Sequence, residues 1–198
     1  MVQSYEGMVK EDSDMTVWNR AFETLAEIVE YGRKKYGDFA PELFILDGST
    51  DFMFDLKIWL DDYMEFLEQE EEQEQLEKVC RKLLKLFAWE KASPSDIRFR
   101  LASSMLSLNK KKEAGDFCER WYGEDENDPA AAAALIYAWI ADRRYKDAQK
   151  VVDFWMDKEG GYTEENAEVF GAAAVSQNVF PGNGKDIQVQ YCSSCNKL

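Results

Sequence analysis

The sequence predicts an all-α fold built from helical hairpins that stack on one another. Apolar side chains recur at spacings of three and four, which is the periodicity of an amphipathic helix. The 198 residues include only four prolines and eleven glycines, so long windows are left free for helix. Hydrophobic residues make up 45% of the chain, which is enough for a folded core. A constant spacing in the second half of the chain groups the helices into pairs.

This spacing, a period of about 34 residues, relates two copies of one helical pair. Ser93-Pro94 opens one copy and Asp128-Pro129 opens the next. Each helix has one apolar stripe that it cannot bury alone, and stacking the pairs in a constant register buries all of them. A small residue in the second helix, Ala114 or Ala148, lets two helices approach closely. The residues at matching positions are Leu101 and Leu135, Ala114 and Ala148, Cys118 and Val152, and Trp121 and Trp155.

The first helix is predicted to be capped by Ser13 or Asp14 and to run to about Lys35, and Gly37-Asp38 is predicted to end it. After it, residues 38–48 form an apolar connector. Within this connector Leu43 to Leu46 are either a helical turn or a short extended piece. The pattern alone does not choose between these two.

The next helix is predicted to begin at a cap formed by Ser49 or Thr50. It leads into residues 68–75, an acidic run without an apolar side chain. We interpret this run as a solvated helix end and turn, and the alternative is an acidic docking strip. Helical spacing resumes at Leu76 and continues to about Trp89. Whether the helices on the two sides of the run are continuous is left open.

The chain is predicted to hold one helical domain, over residues 13–178. Residues 1–12 are polar and predicted to be a flexible N-terminus, and residues 179–198 form a tail. The best-defined repeats cover residues 93–157. A last helix begins at a cap formed by Thr163.

The best-defined copy resembles a tetratricopeptide repeat. Its first helix contains Ala-Leu-Ile-Tyr-Ala-Trp at 134–139, and its second opens with Tyr145-Lys-Asp-Ala148, which is similar to the family's Tyr-x-x-Ala opening. Lys111-Lys-Glu-Ala114 fills the same positions one repeat earlier, and counting back by the same period again reaches Cys80. The resemblance implies a right-handed superhelix of antiparallel helical hairpins, with about eight to nine helices in this chain.

The resemblance also implies a function, which is recognition of a protein or peptide on the concave face lined by first helices. Glu65, Gln69 and Glu72 would extend this face at one end. The Lys and Asn residues with which some family members clamp a C-terminal carboxylate are missing, so an adaptor for chaperone tails is not expected. Alternatively, terminal helices of this chain pack onto the face as caps. By phase, the face carries Phe99, Ser103, Leu106, Ala133, Tyr137 and Ile140.

The charge of the chain limits the class of partner. There are 39 acidic and 24 basic residues, which gives a formal net charge of −15. Such a surface repels phosphate backbones and anionic lipid, so nucleic acid and membrane partners are not expected. A basic or amphipathic helical partner would suit it, although solubility alone also explains the charge. The oligomeric state does not follow from the sequence.

No catalytic constellation stands out. The chain has no histidine, which removes the Ser-His-Asp and Cys-His mechanisms and every metal site that contains histidine. Adjacent carboxylates such as Asp61-Asp62 point to different sides of a helix, so we interpret them as surface residues rather than as an acid–base pair. We therefore expect a non-enzymatic scaffold that needs no cofactor.

The four cysteines indicate a compartment and one candidate metal site. Cys80 and Cys118 occupy helical core positions, which is typical of reduced thiols in the cytoplasm. The N-terminus lacks the basic and apolar regions of a signal peptide, which also favours a cytoplasmic location. Cys192-x-x-Cys195 is half of the ligand set of a zinc ribbon. A helical module that carries a zinc-binding or redox tail is therefore the alternative function, and a tail with two free thiols is the simpler interpretation.

Overall fold

The structure is a computed structural model that describes residues 14–49, 55–159 and 166–172. Within these ranges all regular secondary structure is helical and no strand occurs, which confirms the all-α prediction for this part of the chain. The predicted flexible N-terminus, the cap at Thr163 and the C-terminal tail lie outside the described residues. The helices are α1 Met15–Tyr36, α2 Leu43–Ser49, α3 Leu56–Gln69, α4 Gln73–Leu86, α5 Ser95–Ser107, α6 Lys111–Glu124, α7 Pro129–Ala141, α8 Tyr145–Glu159 and a short α9 at 167–172.

Both ends of α1 agree with the sequence prediction. The Asp14 carboxylate caps the N-terminus by accepting the backbone N–H of Thr16 at 2.8 Å. Gly37 ends the helix with φ +67°, a conformation that favours glycine, and its N–H bonds to the carbonyl of Arg33. The connector that follows is helical over Leu43–Ser49, so the helical alternative is the right one.

The start of α3 differs from the prediction. A cap at Ser49 or Thr50 is wrong, because Ser49 is the last residue of α2 and α3 begins only at Leu56. Two carboxylates fix the residue at which α3 begins, because each accepts an N–H group of the first turn that has no partner within the helix. Asp55 is the cap, accepting a first-turn N–H at 2.9 Å, and Asp47 accepts the N–H of Leu56 at 2.7 Å.

A turn interrupts the acidic run, so the helices on its two sides, α3 and α4, are separate. The same turn joins α5 to α6 and α7 to α8. In each case one residue has positive φ, and the N–H after it donates at 2.7–2.9 Å to a carbonyl in the last turn of the preceding helix. This is the hydrogen bond of a Schellman motif. The residues with positive φ are Glu71 (58°), Asn109 (59°) and Arg143 (62°).

These turns give the register of the repeat. The separation of Asn109 and Arg143 equals the period that the sequence predicts, whereas Glu71 and Asn109 are further apart by four positions. The difference lies in the connection before α5. That connection spans residues 87–94, whereas the connection before α7 spans only 125–128. The first pair therefore lies four positions earlier in the sequence than a constant period would place it.

This shift of four positions changes which residue of α4 corresponds to Ala114. Counting back one period from Ala114 gives Cys80, whereas alignment on the turns gives Leu76. Leu76, Ala114 and Ala148 are each the fourth residue of a second helix, and none is more than 1% exposed. Cys80 lies one helical turn further along the same face, and for this reason it is also buried.

The helices pack mainly on their neighbours in the chain. Each helix from α2 to α7 contacts the next, α5 also packs against α7, and α1 packs against α4. The core under α1 and α3 is aromatic, with the Trp18 ring stacked on Trp59 and Tyr63 at centroid distances of 5.8 and 5.9 Å. The first half of α7 instead contributes small side chains to the core, since 131–134 is a fully or almost fully buried run of alanines.

Candidate partner-binding surfaces

Two of the predicted face residues are in direct contact. The rings of Phe99 on α5 and Tyr137 on α7 meet edge to face, with centroids 6.3 Å apart. Both side chains are half-buried, so each keeps a surface that another molecule could cover. The packing of α5 on α7 is what brings these two residues together.

The other predicted face residues divide by exposure. Leu106 and Ile140 are half-buried and pack against the core, and Ser103 is exposed. Ala133 is fully buried. It can therefore lie beneath a binding surface but cannot itself contact a partner.

The predicted extension of the face along α3 shifts when the turns are used for alignment. The positions on α3 that correspond to Phe99, Ser103 and Leu106 are then Asp61, Glu65 and Glu68, instead of Glu65, Gln69 and Glu72. Counting residues by a constant period did not reach Asp61 and Glu68, and the length of the connection before α5 is the signal that would have revealed this shift. The carboxylate of Glu68 accepts a hydrogen bond from Arg100 of α5, which links the first pair to the second.

The short helix α9 lies close to the α7 end of the predicted face. The pKa of Tyr137 is raised, first by burial and then by the negative charge of Glu168 in α9. Val169 and Ala172 of the same short helix are buried in the core. A C-terminal part of the chain thus lies close to one of the residues that the sequence assigns to partner binding.

A cavity of about 340 Å³ lies between α4, α5 and α6, and the sequence did not predict it. We call it the Trp121 cavity. Arg98 and Arg120 bring positive charge to its lining, but Arg98 is paired with Glu124 at 2.6 Å. The Arg98 guanidinium also lies 5.7 Å from the Trp121 ring centroid. Its lining residues are Leu84, Ala88, Trp89, Pro94, Arg98, Phe117, Arg120, Trp121 and Glu124.

A smaller cavity of about 110 Å³ lies between α2, α3 and the start of α5. We call it the Glu42 cavity. The signal for it in the sequence was an acidic residue within an apolar connector, since Glu42 is preceded by Ala40-Pro41 and followed by Leu43. Its lining residues are Glu42, Leu43, Phe44, Asp47, Lys57, Leu60, Asp61, Met64, Trp89, Ala92, Ser93, Pro94, Asp96 and Ile97.

The cysteines that the structure describes are core residues, as predicted. Cys80 and Cys118 are fully buried, and burial is the main reason that the pKa of each thiol is raised to about 12. They are therefore protonated and unreactive at neutral pH. Cys192 and Cys195 lie outside the described residues. Among the described residues, no group of three or more Cys, Asp or Glu side chains is arranged to hold a metal ion.

None of the helices in the described ranges combines the length and the apolar character that crossing a bilayer requires. Comparison of the chain with protein-family models, with curated proteins and with solved structures finds no match. Function must therefore be inferred from the surfaces of this chain.

Proposed function

We propose that this chain is a non-enzymatic scaffold that binds a protein or peptide on the face formed by the first helices of a tetratricopeptide-like superhelix. The observation that carries the proposal is the contact between Phe99 and Tyr137. Two half-buried aromatic rings from neighbouring first helices form a platform of the kind that dominates binding energy at protein interfaces. Three recurring turns and the packing of α5 on α7 support the repeat architecture.

The charges around this platform favour a basic partner. Glu65 is exposed at the position that corresponds to Ser103, and Asp61 lies one helical turn before it. The net charge of −15 adds a long-range attraction for cations. A basic amphipathic helix would place its apolar side on Phe99 and Tyr137 and its lysines or arginines toward α3.

The competing interpretation is that a segment of the same chain covers the platform. The closeness of Glu168 to Tyr137 favours this at the α7 end. At the α5 end, Phe99 and Leu106 pack against the core and each keeps a part of its side chain exposed. We therefore place the partner over α5, with Tyr137 at the border of the contact.

The test is affinity capture with the intact chain, using isotope-labelled quantification of the proteins retained. Phe99→Ala should release the partner, with at least about a tenfold loss of affinity, because truncated hot-spot aromatics cost about 2 kcal/mol or more. Tyr137→Ala, at the border of the contact, should weaken binding of the same partner by a smaller factor. Phe154→Ala is the matched control, since Phe154 is an exposed aromatic on α8. Retention of every partner by both platform variants would show that binding occurs elsewhere.

A further inference from the structure

The Glu42 cavity has an excess of negative charge. Four carboxylates line it, and Lys57 is the one cation among its described lining residues. Lys57 is already paired with Asp61 at 2.9 Å. Asp47 accepts the N–H of Leu56, and Asp96 lies in the first turn of α5. The formal charges of the lining residues therefore leave an excess of negative charge that a second cation would reduce.

Glu42 itself has an unmet hydrogen-bonding group. The residue is only 5% exposed. One oxygen, Oε1, accepts the N–H of Glu90 at 2.8 Å, but Oε2 is buried and has no hydrogen-bond partner in the described part of the chain. A buried carboxylate oxygen without a donor is costly, so such an atom calls for a ligand, an ion or a water.

The rest of the cavity is mostly apolar. Its volume of about 110 Å³ corresponds to roughly three or four water-sized groups, at about 30 Å³ for each. Apolar walls beside a buried carboxylate suit a cation on a hydrocarbon stem better than a hydrated ion. The larger apolar lining residues are Leu43, Phe44, Leu60, Met64, Trp89 and Ile97.

We propose that the Glu42 cavity receives the side-chain ammonium of a lysine from a partner chain, with Glu42 as its counter-ion. Lysine fits better than arginine because its charge is compact and its stem is apolar, whereas a guanidinium would bring five N–H donors to a buried carboxylate with a single unpartnered oxygen. The partner's contribution rests on the proposed function, but the cavity can be tested without any partner.

The experiment is a titration of the ¹⁵N-labelled full chain with Nα-acetyl-lysine methylamide, followed by nuclear magnetic resonance. The indole N–H of Trp89, which lines the cavity and donates to Leu83 at 3.1 Å, is the reporter. We expect a saturable shift of this signal. The norleucine analogue keeps the stem but lacks the ammonium, and its affinity should be at most a tenth of that of the lysine probe.

Two variants locate the site. Glu42→Gln should weaken lysine binding at least about tenfold, which is the usual effect of losing a hydrogen bond to a charged group. Glu126→Gln makes the same change in net charge at an exposed position and should leave binding unchanged. Ala92→Phe keeps Glu42 and fills the cavity mouth from an exposed position, so it should also block binding even if Glu42→Gln fails to fold.

Equal binding of the norleucine analogue, no saturable response to lysine, or a saturable response to Ca²⁺ alone would each overturn the proposal. No response to lysine would mean that Oε2 is satisfied by water. Because the probe is a single amino acid, failure of the platform formed by Phe99 and Tyr137 would not alter any of these outcomes.

Discussion

The first helical pair, α3 and α4, and the later pairs, α5–α6 and α7–α8, share one turn but differ in their cores. The fourth residue of each second helix is buried in all three, yet it is Leu76 in the first pair and Ala114 or Ala148 in the others. In the first pair, Trp59 of α3 stacks on Trp18 of α1. The difference teaches that one type of turn between helices accepts both large and small core residues, because the separation of packed helices depends on the side chains between them.

The largest expected effect comes from making the first pair resemble the later ones. Leu76→Ala should lower the free energy of unfolding by about 2–5 kcal/mol, since it leaves a cavity that the aromatic core cannot fill. Chemical denaturation measures the loss. Leu84→Ala, at a half-buried position of the same helix, is the control and should cost clearly less. Equal losses at the two positions would mean that the core adjusts freely around Leu76.

The reverse change should also destabilise the protein, by a smaller amount. Ala114→Leu inserts three carbons where the alanine is fully buried, and overpacking of this kind costs about 1–3 kcal/mol. Thermal unfolding followed by circular dichroism would detect it. Gly115→Ala is the control, because a Cβ at Gly115 meets no atom within 4 Å apart from its chain neighbours and the nearby backbone of its own helix. A neutral Ala114→Leu variant would contradict the close packing inferred for the later pairs.

The ion pairs that link successive pairs differ in burial, and this predicts different pH dependences. Burial alone would raise the pKa of Glu77, but hydrogen bonds from Lys110 and Arg81 outweigh it and lower the pKa below its usual value of 4.5. A lowered folded-state pKa adds stability above the unfolded-state pKa, and this stability is lost as the pH falls through the folded-state value. Glu77 should therefore contribute at neutral pH and lose its contribution below about pH 4.5.

Glu77→Gln should cost about 1 kcal/mol at pH 7 and should flatten the loss of stability below about pH 4.5. Glu119→Gln is the matched variant. The Glu119 carboxylate also has a lowered pKa, through hydrogen bonds from Trp139 and Arg144, but its side chain is 39% exposed against 9% for Glu77. Its effect should be smaller because solvent screens it. Unfolding by urea at a series of pH values compares the two, and a larger effect at Glu119 would reverse the order that we infer from burial.

The smallest expected effects come from the turns. Arg143→Gly and Glu71→Gly should each raise the stability by about 0.5 kcal/mol, because a residue with a Cβ is strained at positive φ and glycine is not. Asn109→Gly should change less, since asparagine tolerates this conformation. Differential scanning calorimetry resolves such shifts. A loss of stability at Glu71 alone would show that the first turn is not equivalent to the other two.

Much of the helical pattern was predictable because it depends on local chemistry. The cap at Asp14, the stop at Gly37 and the helix from Pro129 follow from side-chain hydrogen bonds, backbone freedom and a fixed φ, and all three are observed. The start of α3 was missed because several residues in this stretch can cap a helix, and the choice of Asp55 over Ser49 depends on α2 extending through Ser49 and on Asp47 of α2 accepting the N–H of Leu56. A local pattern does not contain that information.

The candidate site was predictable only in part. The phase of α5 and α7 predicted that Phe99 and Tyr137 share a face, and the two rings are in contact. The same phase also included Ala133, which is fully buried, because burial depends on the neighbouring helices as well as on the helix itself. The extension along α3 was predicted four residues too late in the sequence. Counting by a constant period assumes connections of equal length, and the connection before α5 is four residues longer than the one before α7.

The sequence by itself determined that the described chain is helical, where α1 begins and ends, and that the two later pairs repeat with a constant period. These properties depend on hydrogen bonds and apolar spacing within a few residues. Only the tertiary structure decided that the first pair lies four positions earlier in the sequence than the constant period predicts, and that Glu42 is buried beside an acidic cavity. Both depend on which distant segments pack together, because burial and unmet hydrogen bonds arise only when those segments exclude water.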